Sequence, residues 1–182
     1  MNNVILFIVG TIALIVLSRK SLMSPRSHGF YRFFVWEILL VMLLLNVRTW
    51  FQNPFVWHQL VSWVLLFGSI VPVILGLRLL RQVGEQDAGR KDASLIGWEK
   101  TSKLVTVGLY RYIRHPMYSS LLLLGWGMFF KSLSWLDAGL AILCTIFLVA
   151  TARVEERENT KYFGDEYVEY MKQTKMFIPF LF

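Results

Sequence analysis

Residues 1–18 carry no charged side chain, and neither do residues 49–77. Three further runs, near 33–51, 116–131 and 133–152, are almost as apolar, with one or two charged residues each. A helix crossing the bilayer needs about 20 mostly apolar residues, because each adds about 1.5 Å against a hydrocarbon core of about 30 Å. The runs therefore predict spans near 1–18, 33–51, 60–80, 116–131 and 133–152. Lys131-Ser132 leaves almost no connection between the last two, which must then form a tight antiparallel pair. The stretch from Arg81 to Gly108 is polar, contains Gly84, Gly89 and Gly97, and predicts a loop. Beyond the last span, aromatic residues at 162, 163, 167 and 170 suit a helix lying on the membrane surface and covering the bundle. The expected fold is all-α: one polytopic bundle of about five spans over residues 1–182, with a cytosolic C-terminal helical segment.

Composition adds an orientation. Hydrophobic residues make up 55% and charged residues 17%, too apolar a balance for an average soluble globule. Seventeen of the 19 Lys and Arg residues fall in the first loop, the third loop and the tail, leaving Arg48 and Lys131 opposite. By the positive-inside rule the N-terminus is outside and the C-terminus cytoplasmic. Arg19 and Lys20 follow the first apolar run instead of preceding it, so that run predicts a retained helix and not a secretory signal. The net charge of +7 borders apolar spans, which makes anionic headgroups, and not nucleic acid, the expected partner. Six tryptophans (36, 50, 57, 63, 126 and 135) suit an interfacial belt. Cys144 is the lone cysteine, suited to packing, and His28, His58 and His115 show no metal-ligand spacing, so no metal is expected.

Two polar clusters break the apolar pattern, both on the predicted cytosolic side. In the first, residues 108–118 (GLYRYIRHPMY), Pro116 fits the first turn of the fourth span and puts His115 at a helix mouth. Arg111 and His115 are four apart, as are Arg114 and Tyr118, so a helix would align each pair on one face. Such a group suits an anionic ligand moiety and an aromatic ring; snorkelling and belt residues would have the same composition. The second cluster is Arg153-Val-Glu-Glu-Arg-Glu-Asn159. Adjacent carboxylates at a bilayer boundary need solvation or partners. Arg153 stands three residues from Glu156 and Arg157 two from Glu155, and ion pairing among them is one account; a site for a zwitterionic amino-acid moiety is another. The tight hairpin should bring both clusters together.

At these residues the sequence resembles the isoprenylcysteine carboxyl methyltransferase family and its relatives among phospholipid methyltransferases. Residues 104–118 (LVTVGLYRYIRHPMY) look like the family's LVT-x-GPYR-x-x-RHP-x-Y segment. Arg153-Val-Glu-Glu156, then Phe163-Gly164, Tyr167, Tyr170 and Ile178-Pro-Phe180, look like its C-terminal signature. The match covers roughly residues 100–182. Leu109 stands where proline is usual, Ser119-Ser120 where glycine is common, and Gln173 where arginine is frequent. Gly76 stands alone where the phospholipid branch has a glycine pair. The resemblance implies S-adenosylmethionine as methyl donor at a cytoplasmic active site, with Tyr110, His115, Pro116 and Tyr118 in the cofactor pocket and Glu155 or Glu156 near the donor's amino group. It implies a lipophilic acceptor entering from the bilayer, its head placed by Arg114 or Arg153. A carboxylate head needs no general base, whereas an amine must lose a proton, which gives Glu156 a possible acid–base role. The alternatives are an NADPH-dependent membrane reductase of related fold, in which the basic residues would bind phosphates, and a non-catalytic membrane scaffold.

Overall fold

The structure, a computed structural model, describes residues 2–85 and 100–181. Gly89, Arg90, Lys91 and Gly97 of the predicted loop lie outside the described residues. The elements are α1 (Asn2–Leu22), α2 (His28–Asn46), α3 (Trp57–Val83), a 3-10 turn (Gly108–Arg111), α4 (Pro116–Ser132), α5 (Trp135–Phe163) and α6 (Asp165–Gln173). Among the described residues the architecture is a polytopic helical bundle without named strands. α1, α2, α3 and α5 are long and apolar enough to cross a membrane. α4 has 17 residues, at the short limit for a span, and is about 25 Å long at about 1.5 Å per residue.

Contacts at the helix ends show that the first five helices alternate in direction. The Asn3 amide donates to the Leu44 carbonyl and the Thr11 hydroxyl to Glu37, so α1 runs against α2. Asn46 at the end of α2 donates to Asp137 at the start of α5, while His28 at the start of α2 meets Glu158 near the end of α5. Gln59 at the start of α3 donates to the Lys131 carbonyl at the end of α4. Gly76, near the other end of α3, lies against Pro116 at the start of α4. α4 is central, touching α2, α3 and α5, whereas α1 packs on α2 alone among the principal contacts. Leu133, at φ 51°, turns the chain between α4 and α5.

The helix limits depart from the apolar runs in two places. α2 covers 28–46 and not 33–51: the Asn46 side chain turns back to the Met42 carbonyl and across to Asp137, and Thr49 closes a turn on the Asn46 carbonyl. α5 runs to Phe163, eleven residues past the apolar segment, because its carboxylates find partners on other elements; it ends at Gly164, whose φ of 64° favours glycine.

The end holding Lys131 is a buried polar knot. Lys131, 1% exposed, donates to Gln59 Oε1 at 2.9 Å, and its ammonium lies 3.4 Å from the Trp63 ring centroid. Asp137 accepts from Ser132, Ser134 and Asn46. A buried cation needs such partners, since an unpaired one is expelled or neutralised. Trp57 and Trp135 are exposed here, as a belt requires, but Trp50 and Trp63 hold Lys131 instead of lipid. Trp36 and Trp126 lie inside α2 and α4, where Trp126 donates to Thr145 across the α4–α5 pair.

Close approach of α3 and α4 depends on Gly127. A Cβ there would lie 2.9 Å from Leu66 Cδ2 and 3.2 Å from the Leu66 backbone nitrogen, and the Ser62 hydroxyl donates to the Gly127 carbonyl at 2.7 Å. Backbone cannot yield as a side-chain tip can. Gly127→Ala is therefore expected to destabilise the protein by about 1–3 kcal/mol, the cost of overpacking. Thermal unfolding in detergent measures it, with Gly68→Ala as control because a Cβ there meets nothing within 4 Å.

Candidate active site

The helix ends opposite Lys131 surround a cleft of about 650 Å³, counted to its open mouth. One wall is apolar, with Leu80 from α3 and Leu104 and Val105 from the segment before the 3-10 turn. The floor is Tyr110, Arg114, His115, Pro116, Met117 and Tyr118. Glu155, Asn159 and Phe163 enter from α5, and Tyr167 and Tyr170 close it from α6.

Pro116 shapes the floor. A residue before proline is pushed out of the α region, and His115 sits at φ −123°, ψ 64°. The helix consequently begins at Pro116, and residues 112–115 lie beside the tail, bridged to it at Ile113. Lys175 N–H donates to the Tyr112 carbonyl, Arg114 N–H to the Lys175 carbonyl and His115 N–H to the Met176 carbonyl. The predicted helical alignment of Arg111 with His115 and Arg114 with Tyr118 is thus replaced by a different arrangement. Arg111 is exposed, and it is the His115 and Tyr118 rings that stack, 5.3 Å apart and 14° from parallel.

Three carboxylates on one stretch of α5 face three different elements. Glu155 accepts the Tyr118 hydroxyl and lies 3.8 Å from His115 Nδ1. Glu156 accepts Arg114 Nε at 2.6 Å and lies 3.4 Å from His115 Nε2. Glu158 accepts both the backbone N–H of His28 at 3.1 Å and its Nδ1 at 2.5 Å, placing a negative charge on the N-terminus of α2. These partnerships displace the local pairing with Arg153 and Arg157, both exposed. The helical period explains this: five consecutive polar positions, 155–159, must point several ways, and of these only Glu155 and Asn159, four apart, share the cleft face.

Arg114 is held at several points. Besides Glu156, its Nη1 donates to the carbonyls of Met171, at 3.2 Å, and Thr174, capping the end of α6. Tyr170 donates to the Tyr110 carbonyl at 2.7 Å, tying α6 to the floor. Burial, reinforced by the nearby Glu155 charge, pushes the Tyr167 phenol above the ordinary tyrosine range, and burial does the same to Tyr170. Both therefore remain hydroxyls at neutral pH.

Of the residues singled out in the sequence, Tyr110, Arg114, His115, Pro116, Tyr118 and Glu155 meet at the cleft. Glu156 stands behind it, bonded to Arg114 and His115. Arg153 lies on the exposed side of α5 and is not among the lining residues. The aromatic residues of α6 cover the bundle, as expected of that segment, but Tyr167 and Tyr170 are buried and face the cleft, not lipid. Asn159 was not singled out for the site, although its spacing from Glu155 carries the signal. The contribution of Leu80 and Val105 has no local sequence signal, because any apolar residue would read alike.

The phospholipid methyltransferase family model matches residues 73–166, which contain the floor and the α5 carboxylates. The chain is 33% identical over 122 residues to protein-S-isoprenylcysteine O-methyltransferase B of Arabidopsis thaliana, covering 65% of this chain and 61% of that one. It is 30% identical over 142 residues to protein-S-isoprenylcysteine O-methyltransferase of Homo sapiens, covering 71% and 46%. Methanethiol S-methyltransferase 1 of Bradyrhizobium diazoefficiens is 35% identical over 89 residues, covering 47% and 30%. The chain thus spans about three fifths of the length of the plant relative and less of the others. No solved structure matches it. With more than half of its residues under the family model, and the floor and carboxylate clusters inside that match, the chain belongs to the phospholipid methyltransferase family.

Proposed function

We propose that this protein is a membrane methyltransferase that uses S-adenosylmethionine and acts on a lipophilic acceptor. The observation that carries the cofactor reading is the character of the cleft: among the described lining residues, one carboxylate, Glu155, stands with Tyr110, Tyr118, Phe163, Tyr167 and Tyr170. A carboxylate and aromatic faces attract a cation and a flat ring, and S-adenosylmethionine offers a sulfonium, an ammonium and an adenine. When bound, it supplies a methyl group already activated for transfer. Glu155, positioned by Tyr118, would hold its ammonium, and Tyr110, His115 and Pro116 would complete the wall. Apolar Leu80, Leu104 and Val105 would exclude water from the ring.

A nicotinamide dinucleotide phosphate would need cations at its phosphates. Among the described lining residues Arg114 is the one arginine, and Glu156 and two carbonyls already hold it. This favours methyl transfer over reduction. On the acceptor side, Arg114 lines the cleft with Glu156 setting its position, and Glu156 would be the proton acceptor for an amine head. Arg153, on the exposed side of α5, would meet an acceptor only outside the cleft. The relatives named for isoprenylcysteine carry a lipophilic acceptor in their name and support this reading, whereas the one named for methanethiol is named for a small thiol. The segregation of Lys and Arg favours a cytoplasmic cleft.

Titrating the purified protein with S-adenosylhomocysteine and with NADPH tests the cofactor. Binding of the first and not the second is expected, and the reverse overturns the reading. Labelled S-adenosylmethionine supplied with a membrane lipid extract, and separately with aqueous metabolites, tests the acceptor: label is expected in the lipid fraction, and label confined to water-soluble molecules excludes a lipophilic one.

A further inference from the structure

We propose that the tail beside the cleft is an interfacial anchor: residues 175–181, together with Tyr112, seat this end of the bundle on an anionic lipid surface. The tail after α6 does not hang free. Thr174 hands the chain to Lys175, which bridges in parallel to the buried Ile113, and Phe177, 2% exposed, packs into the bundle core against His115. The next residues emerge at the level where α4 begins.

There the apolar side chains turn outward. Phe180 is 83% exposed, Leu181 75% and Ile178 41%, and the Phe180 ring rests 5.8 Å from the half-exposed Tyr112 ring. In water such a cluster is unfavourable, because apolar surface is driven out of water. The cations flank it. Arg111 precedes Tyr112, and Lys175, whose N–H bonds the Tyr112 carbonyl, is exposed on the adjoining segment. Exposed aromatic and aliphatic groups with two exposed basic residues adjoining them match a surface of acyl chains below and anionic headgroups above.

α6 makes the contrast. Its outer face carries Lys172 and Glu169 as an exposed ion pair at 2.6 Å, which suits water. The tail is therefore distinguished from the helix it follows, and the inference does not depend on which cofactor the cleft takes.

The test uses the full protein in lipid nanodiscs with a fluorophore on Phe180→Cys or, separately, Lys172→Cys; the native Cys144 is buried. Nitroxide lipids labelled just below the headgroup quench whatever enters the interface. Strong quenching is expected at 180 and little at 172, with quenching at 180 greater when phosphatidylglycerol is added to phosphatidylcholine. Arg111→Glu with Lys175→Glu should abolish that gain, since each basic residue near an anionic surface favours the docked form about fivefold. Equal quenching at 180 and 172, or quenching at 180 indifferent to phosphatidylglycerol, overturns the anchor; so does an unquenched 180 that a partner protein shields from water.

Discussion

Glu155→Gln is expected to weaken S-adenosylhomocysteine binding by about ten- to a hundredfold while leaving the affinity for methylthioadenosine nearly unchanged. Gln keeps the size of Glu and can still accept the Tyr118 hydroxyl, so the floor should hold its shape. What it removes is the negative charge. A hydrogen bond to a charged group is worth about 1.5–3 kcal/mol, and about 1.4 kcal/mol is tenfold in affinity. Methylthioadenosine lacks the amino-acid end, so a loss confined to the larger ligand locates the contact at the ammonium. Isothermal titration of both ligands against both proteins makes this a double-difference measurement. Equal losses for the two ligands would mean that Glu155 supports the cleft generally, and no loss for either would remove it from the site.

The bundle was legible because a bilayer demands long uninterrupted apolar runs, and five antiparallel helices follow from five such runs. Their limits were less legible. Hydropathy counts Thr49 and Trp50 as continuing an apolar segment, yet Asn46 ends the helix by bonding across to Asp137, a partner ninety-one residues away. The same reason explains the carboxylates. Ion pairing along α5 would join Glu155 and Glu156 to Arg157 and Arg153, whereas the fold offers Tyr118 to Glu155, Arg114 to Glu156 and His28 to Glu158. Buried or half-buried partners outcompete exposed ones because exposed ion pairs are worth little against solvation. Pro116 was legible as a helix start, but its effect on the residue before it cancels the helical register upstream, and with it the predicted faces of Arg111 and Arg114. His28 has no metal-ligand spacing in the sequence, and its partner, Glu158, stands 130 residues away along the chain.

Arg114→Ala is expected to cost about 3 kcal/mol of stability or more, because it breaks a pair whose side chains are only 11% and 14% exposed. Removing the guanidinium leaves the Glu156 charge beside His115 without its closest cation. It also strips the Met171 and Thr174 carbonyls of their donor, so the end of α6 loosens from the cleft floor. Two further variants separate these effects. Adding Glu156→Gln to Arg114→Ala neutralises the stranded carboxylate and should recover part of the loss. Arg114→Lys keeps the charge but lacks the planar fork that reaches a carboxylate and two carbonyls together, so it should recover little. Arg153→Ala, at an exposed position, should stay within about 0.5 kcal/mol of the parent. The buried Cys144 thiol provides the readout, since a thiol-reactive dye reports its exposure as the bundle unfolds on heating. If Arg114→Ala unfolds no earlier than Arg153→Ala, the arginine is not a structural tie, and its cation is left for the acceptor.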